Sequence, residues 1–582
     1  MKRSALSLIA VCLLTSVCLA QGDKQPKLFF RLQADLISDQ KLAEAIKLME
    51  RAGKAGYTGI VILDNMLARK EQAEPKYQAN LAKFRQACKD SKLQCWAALF
   101  PVGYANSLLS QDPNLAEAMP VRDVPFEVKK GQLVPVDDLK IQNGTFEDSK
   151  GDNAAGWEID QPGRMMFVDR QETWNGKPSI RIEDIAKHEP ARRARIKQPI
   201  KFTPGRNYHL SAMIKTEKFD GSDLRLSVLA PYATDKRTWL SQMMIYVKPT
   251  QDWTRMHMTF NTQDLTEGDL YVGSWAGKSG KMWIADVKIE PAGVVNMVRR
   301  DGAPFKATAA DGKIILVEGK DIPHVKDPQL GVVNGKAGIF NIWHEPPVLK
   351  LPDGSSLKDG DKVLMSYYHT AMMCYGDQTV ICMSEPKTYE LLKWQVEQIH
   401  KNLKPDGYMM MHDEIRIHGW DESCAKRKLT CGQILADNMT KCAALIQKED
   451  PGKPMVVWND MFDPHHNAKE DGRRFVMCKG ENSWHQSWLG LPKEVGLINW
   501  NAESEQSVKF FSRQGHFQFI SSDNPKRLAE LVGKYKELPG VDGAIYVTWS
   551  HDYTKLEAFA EALRSSWNAP ATAPAAGLLK RD

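Results

Sequence analysis

Apolar and polar positions change their rhythm twice along this chain. In the first stretch, short apolar runs alternate with segments whose apolar residues recur every three or four positions. Residues 28–33, 57–64 and 94–100 read as strands, and 39–55 and 77–92 as amphipathic helices. Buried strands separated by helices predict a parallel sheet with right-handed crossovers. From about 121 to 362 helical periodicity disappears. Short β-branched and aromatic runs broken by Gly, Pro, Asn and Asp predict an antiparallel sandwich over 137–292 and a smaller β-rich element over 293–362. The alternation then resumes. Helices at 387–402, 430–449, 502–513 and 524–537, with a last one ending at 567, intersperse strands at 408–412, 455–458, 495–500, 517–522 and 544–549.

Three strands before the interruption and five after it make eight. The expected fold class is therefore α/β, a (β/α)8 TIM barrel whose first part spans 28–120 and whose second part spans 363–567, interrupted after strand 3 by the all-β excursion. The apolar run 363–369 would make a ninth strand. It is assigned to the excursion, because no helix separates it from the β-rich region before it.

The ends carry different information. Lys2 and Arg3, an apolar run over 5–14 and a small-residue end at Ala20 have the layout of a secretory signal peptide over 1–20, so a secreted or periplasmic protein is expected. That run is too short to span a bilayer, no later stretch is apolar enough, and no membrane partner is expected. Residues 568–582 are rich in Ala and Pro and read as a disordered tail.

A net charge of +6 over 582 residues, with basic residues dispersed, argues against nucleic acid as a partner. Cys88, Cys95, Cys374, Cys382, Cys424, Cys431, Cys442 and Cys478 remain after the leader. In an exported protein they favour disulfides, with 88–95, 374–382 and 424–431 as close pairs and the connectivity open. The adjacent His465 and His466, in the loop after Asp463, lack a third metal ligand at suitable spacing.

The chemistry concentrates at strand ends, where barrels carry reactive groups. The apolar strand 408–412 ends in His412, Asp413 and Glu414, followed by Arg416. Burial raises a carboxyl pKa and a neighbouring carboxylate separates two of them, which lets one group donate a proton while the other stays charged. Otherwise the pair merely begins a solvated loop, with Arg416 as its ion-pair partner. Trp458 and Asp460, Trp500, Asp523, and Trp549 with Asp552 end later strands, and flat apolar faces suit sugar rings.

This arrangement resembles the family 20 glycoside hydrolases, the β-N-acetylhexosaminidases and their relatives, over roughly 28–120 and 387–567. The resemblance implies a glycosidase acting on an oligo- or polysaccharide, without a catalytic cofactor. Glu414 would be the general acid. Asp413 would orient the substrate's 2-acetamido group, which attacks in place of a protein nucleophile. Arg31, His412, Trp458, Asp460, Trp500 and Trp549 would bind the sugar. The chain departs from the family pattern in lacking Gly-Gly between His412 and Asp413, and in having Trp458-Asn-Asp460 on strand five. A two-carboxylate mechanism on a non-acetamido sugar stays open, with Asp460, Asp523, Asp552 and Asp64 as second groups in that order. So does a non-catalytic glycan-binding protein.

Over 137–292, Asn143-Gly-Thr-Phe146 with Glu147, Pro204-Gly205 before Tyr208, Trp253-Thr254 and the closing Asp286-Val287 resemble jelly-roll carbohydrate-binding modules of the family 4/9/22 type. Such modules often hold a structural Ca²⁺, which the resemblance would place at Glu147 and Asp286. Trp239, Tyr232 and Trp275 read as ring-stacking candidates, and Trp157, Trp253 and Trp283 as core. Trp343 to Glu345 and Tyr367 to His369 are expected near the barrel mouth.

Overall fold

A computed structural model describes residues 25–570 apart from 222, 233–235, 242–243, 374–377, 471–476, 481–483, 501 and 503. The leader, Cys374 and positions 571–582 of the tail lie outside the described residues.

Eight parallel strands close into a barrel: β1 (Lys27–Ala34), β2 (Gly59–Asp64), β3 (Gln94–Leu99), β4 (Gly407–Met410), β5 (Met455–Trp458), β6 (Val495–Asn499), β7 (Gln518–Ser522) and β8 (Val541–Tyr546). They neighbour one another in chain order, and β8 returns to β1 with Ala544 beside Leu28. The count of three plus five holds, because β3 pairs directly with β4 across the excursion, Tyr408 beside Ala97. Outside lie helices α1 (Asp39–Lys54), α2 (Pro75–Asp90), α3 (Pro386–Leu403), α4 (Cys431–Glu449), α5 (Glu505–Gln514), α6 (Pro525–Tyr535) and α7 (Leu556–Asn568). Between β5 and β6 the described residues form 3-10 turns at Asp460–Phe462 and Ser487–Gly490 and a short strand, Met477–Cys478, but no long helix. None of the described helices is long and apolar enough to cross a membrane.

Local chemistry sets these boundaries. Ser38 caps α1 through the Lys41 amide, and Thr430 with Gln433 forms a capping box on α4. Gly515, at φ +84°, closes α5 in the left-handed conformation. Side chains alternate across each strand. Phe29, Val61, Trp96, Met409, Val456, Ile498, Phe519 and Ile545 fill the barrel. Phe30, Ile60, Tyr408, Val457, Leu497 and Ile520 pack outward in the main core shared with the helices. Burial on both faces is why these strands read as unbroken apolar runs. Gly407 is required by close approach, since a Cβ there would lie 2.5 Å from the Trp96 ring.

The excursion contains three larger sheets. A five-stranded and a six-stranded antiparallel sheet form the sandwich. The third sheet joins Met119–Lys129, which leaves the barrel, to Lys362–His369, which returns to it. The apolar run 363–369 thus belongs to the excursion, as expected, forming its neck with the outgoing chain; the second part of the barrel begins after it rather than at 363. The same pairing takes Tyr367 to His369 away from the barrel mouth. Tyr367 donates to the Gly293 carbonyl at 2.7 Å, and His369 Nε2 lies 3.0 Å from Asn261 of the sandwich. Trp343 is also elsewhere, stacked 3.9 Å from His209 at an interplanar angle of 5°.

None of the seven described cysteines forms a disulfide, and all are buried. The sequence-adjacent pairing of Cys424 with Cys431 is not what the fold favours. Cys424 Sγ lies 3.8 Å from Cys382 Sγ, brought there by the loops after β4 and before α3.

Candidate active site at the barrel mouth

The alternation that fills the barrel also builds its mouth. On β4 the inward series Met409, Met411 continues to Asp413. On β5, Val456 and Trp458 lead to Asp460, and Ile498 on β6 leads to Trp500. Beyond β8, Ile545 and Val547 lead to Trp549, while on β1 Phe29 leads to Arg31. These side chains line one cavity of about 860 Å³, together with Glu414, Arg416, Tyr104, His466 and Asn467. Of the residues expected to bind substrate, Arg31, Trp458, Asp460, Trp500 and Trp549 are therefore brought together with Asp413 and Glu414.

His412 is the exception, and parity explains it. It has the opposite orientation to Met411 and Asp413, is fully buried, and its Nε2 lies 2.9 Å from Asn438 Oδ1 on α4. Burial lowers its pKa to about 4, so the ring is neutral. His412 fixes β4 against α4 rather than binding substrate.

Glu414 has the same parity as His412 yet reaches the cavity, because its backbone turns into the left-handed region at φ +48°. That conformation is costly for a residue with a Cβ and collects at functional sites. Arg416 holds its Oε1 at 2.7 Å, and the Tyr104 hydroxyl donates to Oε2. Gln378 donates to the Glu414 carbonyl at 2.8 Å. Gly103 lets the preceding loop press against this turn, since a Cβ there would lie 2.1 Å from the Asp413 carbonyl oxygen.

Asp413 and Asp460 differ in kind from Glu414. Asp413 Oδ1 and Asp460 Oδ1 are buried without a hydrogen-bond partner in the protein, as is Trp458 Nε1. Burial and the neighbouring Glu414 raise the Asp413 pKa to about 6, against the pull of Arg31. Burial, Asp413 and Glu414 raise that of Asp460 to about 8. Asn467 donates to the other Asp460 oxygen at 3.1 Å. Buried polar atoms are normally satisfied, so unpartnered ones facing a cavity mark where a polar ligand belongs.

Three indoles wall the cavity. Trp458 is buried, while Trp500 and Trp549 are 47% and 52% exposed. The Trp500 and Trp549 centroids lie 5.4 Å apart with nearly perpendicular rings, and the Arg31 guanidinium sits 4.9 Å from the Trp549 centroid. Asp523, Asp552 and Asp64 do not line the cavity. Asp64 instead accepts from the Leu36 and Met66 amides at 3.0 and 2.9 Å, fixing the turn after β2.

Sequence reasoning missed Tyr104, which follows β3 in a loop with no pattern to single it out. It also missed Tyr246, from the sandwich strand Met244–Tyr246, which lines the same cavity and is 59% exposed. The sandwich thus contributes an aromatic ring to the barrel mouth.

Within the sandwich, Trp157 and Trp283 are core, whereas Trp253 is half-buried beside Trp174. Trp239, Tyr271 and Trp275 form a half-buried aromatic group, with Arg195 and Arg225 over the Trp275 ring. The side chain of Tyr232 lies outside the described residues. The two residues expected to hold Ca²⁺ are each engaged by cations. Lys177 holds Glu147 at 2.7 Å, and Arg255 and Lys288 hold Asp286, the latter at 3.0 Å.

Comparison with known proteins finds a family match within the sandwich. Residues 140–279 match the model of a carbohydrate binding domain of the 4/9 type. A CBM4 structure is 20% identical, covering 26% of this chain and 99% of its own, with a TM-score of 0.20. The C-terminal family 22 carbohydrate binding module of Clostridium thermocellum Xyn10B is 15% identical, covering 27% and 99%, with a TM-score of 0.21. TmCBM61, solved in complex with β-1,4-galactotriose, is 10% identical, covering 26% and 96%, with a TM-score of 0.17. No curated protein matches the chain. The inserted sandwich, set within an eight-stranded parallel barrel, is thus similar to carbohydrate-binding domains of the 4/9 type.

Proposed function

We propose that this protein is an exported glycoside hydrolase whose carbohydrate-binding domain delivers a glycan to the barrel mouth. The observation that carries the proposal is the convergence of Asp413, Glu414 and Asp460 in one cavity walled by Trp458, Trp500 and Trp549. Acid–base hydrolysis of a glycosidic bond needs one carboxyl group that keeps its proton and another that stays charged. Asp460, with a pKa near 8, holds a proton at neutral pH. Asp413, near 6 and opposite Arg31, is then mostly ionised. In this reading Asp460 protonates the departing oxygen, and ionised Asp413 stabilises positive charge developing on the sugar ring and takes the proton of the water that adds to the anomeric carbon. Glu414, held by Arg416 and Tyr104, positions a sugar hydroxyl or water.

A second reading follows the resemblance to the β-N-acetylhexosaminidases, in which Glu414 is the acid and Asp413 orients a 2-acetamido group. The unpartnered Asp413 Oδ1 favours it, being free to accept an acetamido N–H. A panel of aryl β-glycosides with and without a 2-acetamido group separates the two. Turnover confined to 2-acetamido sugars supports substrate assistance, and turnover of simple hexosides supports the two-aspartate reading. Binding of glycans with no turnover of any member would overturn both.

A further inference from the structure

A second cluster lies behind the catalytic loop, where three separate chain segments bring soft and hard ligands to one point. Glu117 comes from the segment before the neck strand Met119–Lys129, and Cys382 from the loop before α3. Asp421 and Cys424 come from the short helix that follows β4. All four are buried, and one ligand atom from each lies within 4.8 Å of every other. Cys424 Sγ is 3.8 Å from Cys382 Sγ and 3.7 Å from Glu117 Oε2.

Tetrahedral zinc with Zn–S bonds of about 2.3 Å places two thiolate sulfurs about 3.8 Å apart, the spacing found here. The surroundings provide an outer shell. His418 Nδ1 lies 3.1 Å from Glu117 Oε2, and the Gly419 amide donates to Oε1 at 2.9 Å. The Arg300 guanidinium binds Asp421 and, at 3.0 Å, Glu385. Ligating carboxylates are held by just such partners. A disulfide between the two cysteines has no use for two buried carboxylates beside it, whereas a metal ion does. A cavity of about 500 Å³, lined by Cys424, Lys428, Cys431 and Lys479, offers an entry path.

We propose that Glu117, Cys382, Asp421 and Cys424 hold a structural zinc ion that fastens the loop after β4 to the two chain segments flanking the excursion. His418, the partner of Glu117, follows Glu414 by four residues, so the ion braces the loop that carries Glu414.

The test is the metal content of the full-length chain, produced without a histidine tag and dialysed against metal-free buffer. The expected result is about one zinc per chain by mass spectrometry, lost in Cys382→Ser and Cys424→Ser. Cobalt exchanged into the wild type should give thiolate-to-cobalt charge-transfer absorption. If the variants do not fold, the wild-type zinc content and the cobalt spectrum decide alone. The proposal is overturned if the wild type carries no stoichiometric metal and its two cysteines titrate as thiols on denaturation. A Cys382–Cys424 disulfide, or folded variants that keep their zinc, would overturn it equally.

Discussion

Asp413 and Asp460 follow the ends of two adjacent barrel strands, β4 and β5, and both line the cavity. The parallel register pairs Met409 with Val456, and each aspartate comes four residues further along its chain, beyond the strand end. Burial raises the cost of ionising both, and the neighbouring carboxylates add to it, Asp413 and Glu414 for Asp460 and Glu414 for Asp413. Two such groups titrate as a pair rather than independently.

The pair fixes the expected pH dependence. Asp413 must be ionised and Asp460 protonated, so kcat/KM should be bell-shaped, falling below about 6 and above about 8. Rates on any substrate that the barrel turns over check this. A profile flat to pH 9.5 would remove Asp460 as the proton donor.

Asp460→Asn should stabilise the fold while removing activity. Its folded pKa lies above the unfolded value of 3.8, so ionisation of the unfolded chain favours unfolding increasingly from about pH 4 up to about pH 8. The neutral amide escapes that penalty. A gain of up to roughly 5 kcal/mol is expected in urea denaturation at pH 8, shrinking towards zero near pH 4.

For His412 the sign is reversed. Its folded pKa of about 4 lies below the unfolded 6.5, so its contribution is present above pH 6.5 and lost as pH falls towards 4. Glutamine can donate the same hydrogen bond to Asn438 without titrating. Between pH 7 and 4.5 the wild type should lose roughly 2–3 kcal/mol more stability than His412→Gln, measured by denaturation, with KM unchanged.

Tyr246 links the carbohydrate-binding domain to the barrel mouth. Tyr246→Ala should weaken oligosaccharide binding about three- to tenfold by calorimetry, the value of one aromatic stacking contact, and leave small aryl glycosides unaffected. Equal affinity for long oligosaccharides would place the ring outside the binding path.

Much of this fold was legible because burial writes itself into periodicity. Strands covered on both faces read as apolar runs, and the two changes of rhythm marked the inserted sandwich. The neck sheet was harder, since Met119–Lys129 and Lys362–His369 pair across the whole excursion and nothing local signals a partner so distant. At the site, strand ends identified Asp413, Asp460 and the tryptophans. Counting alternate residues from Met409 would also have turned Asp413 inward and His412 outward. The turn that returns Glu414 to the cavity depends on a left-handed backbone at a glutamate, which residue preferences argue against. Tyr104 and Tyr246 arrive from loops and from another domain, where only tertiary structure brings them in.

The most direct measurement compares kcat/KM of Asp460→Asn and Glu414→Gln with that of the wild type on one turned-over glycoside at pH 7. Loss of a general acid costs about 10²–10⁴-fold. Asp460→Asn is expected to lose that much and Glu414→Gln clearly less. Full activity in Asp460→Asn, with Glu414→Gln inactive, would contradict the Asp413–Asp460 pair and return the proton to Glu414.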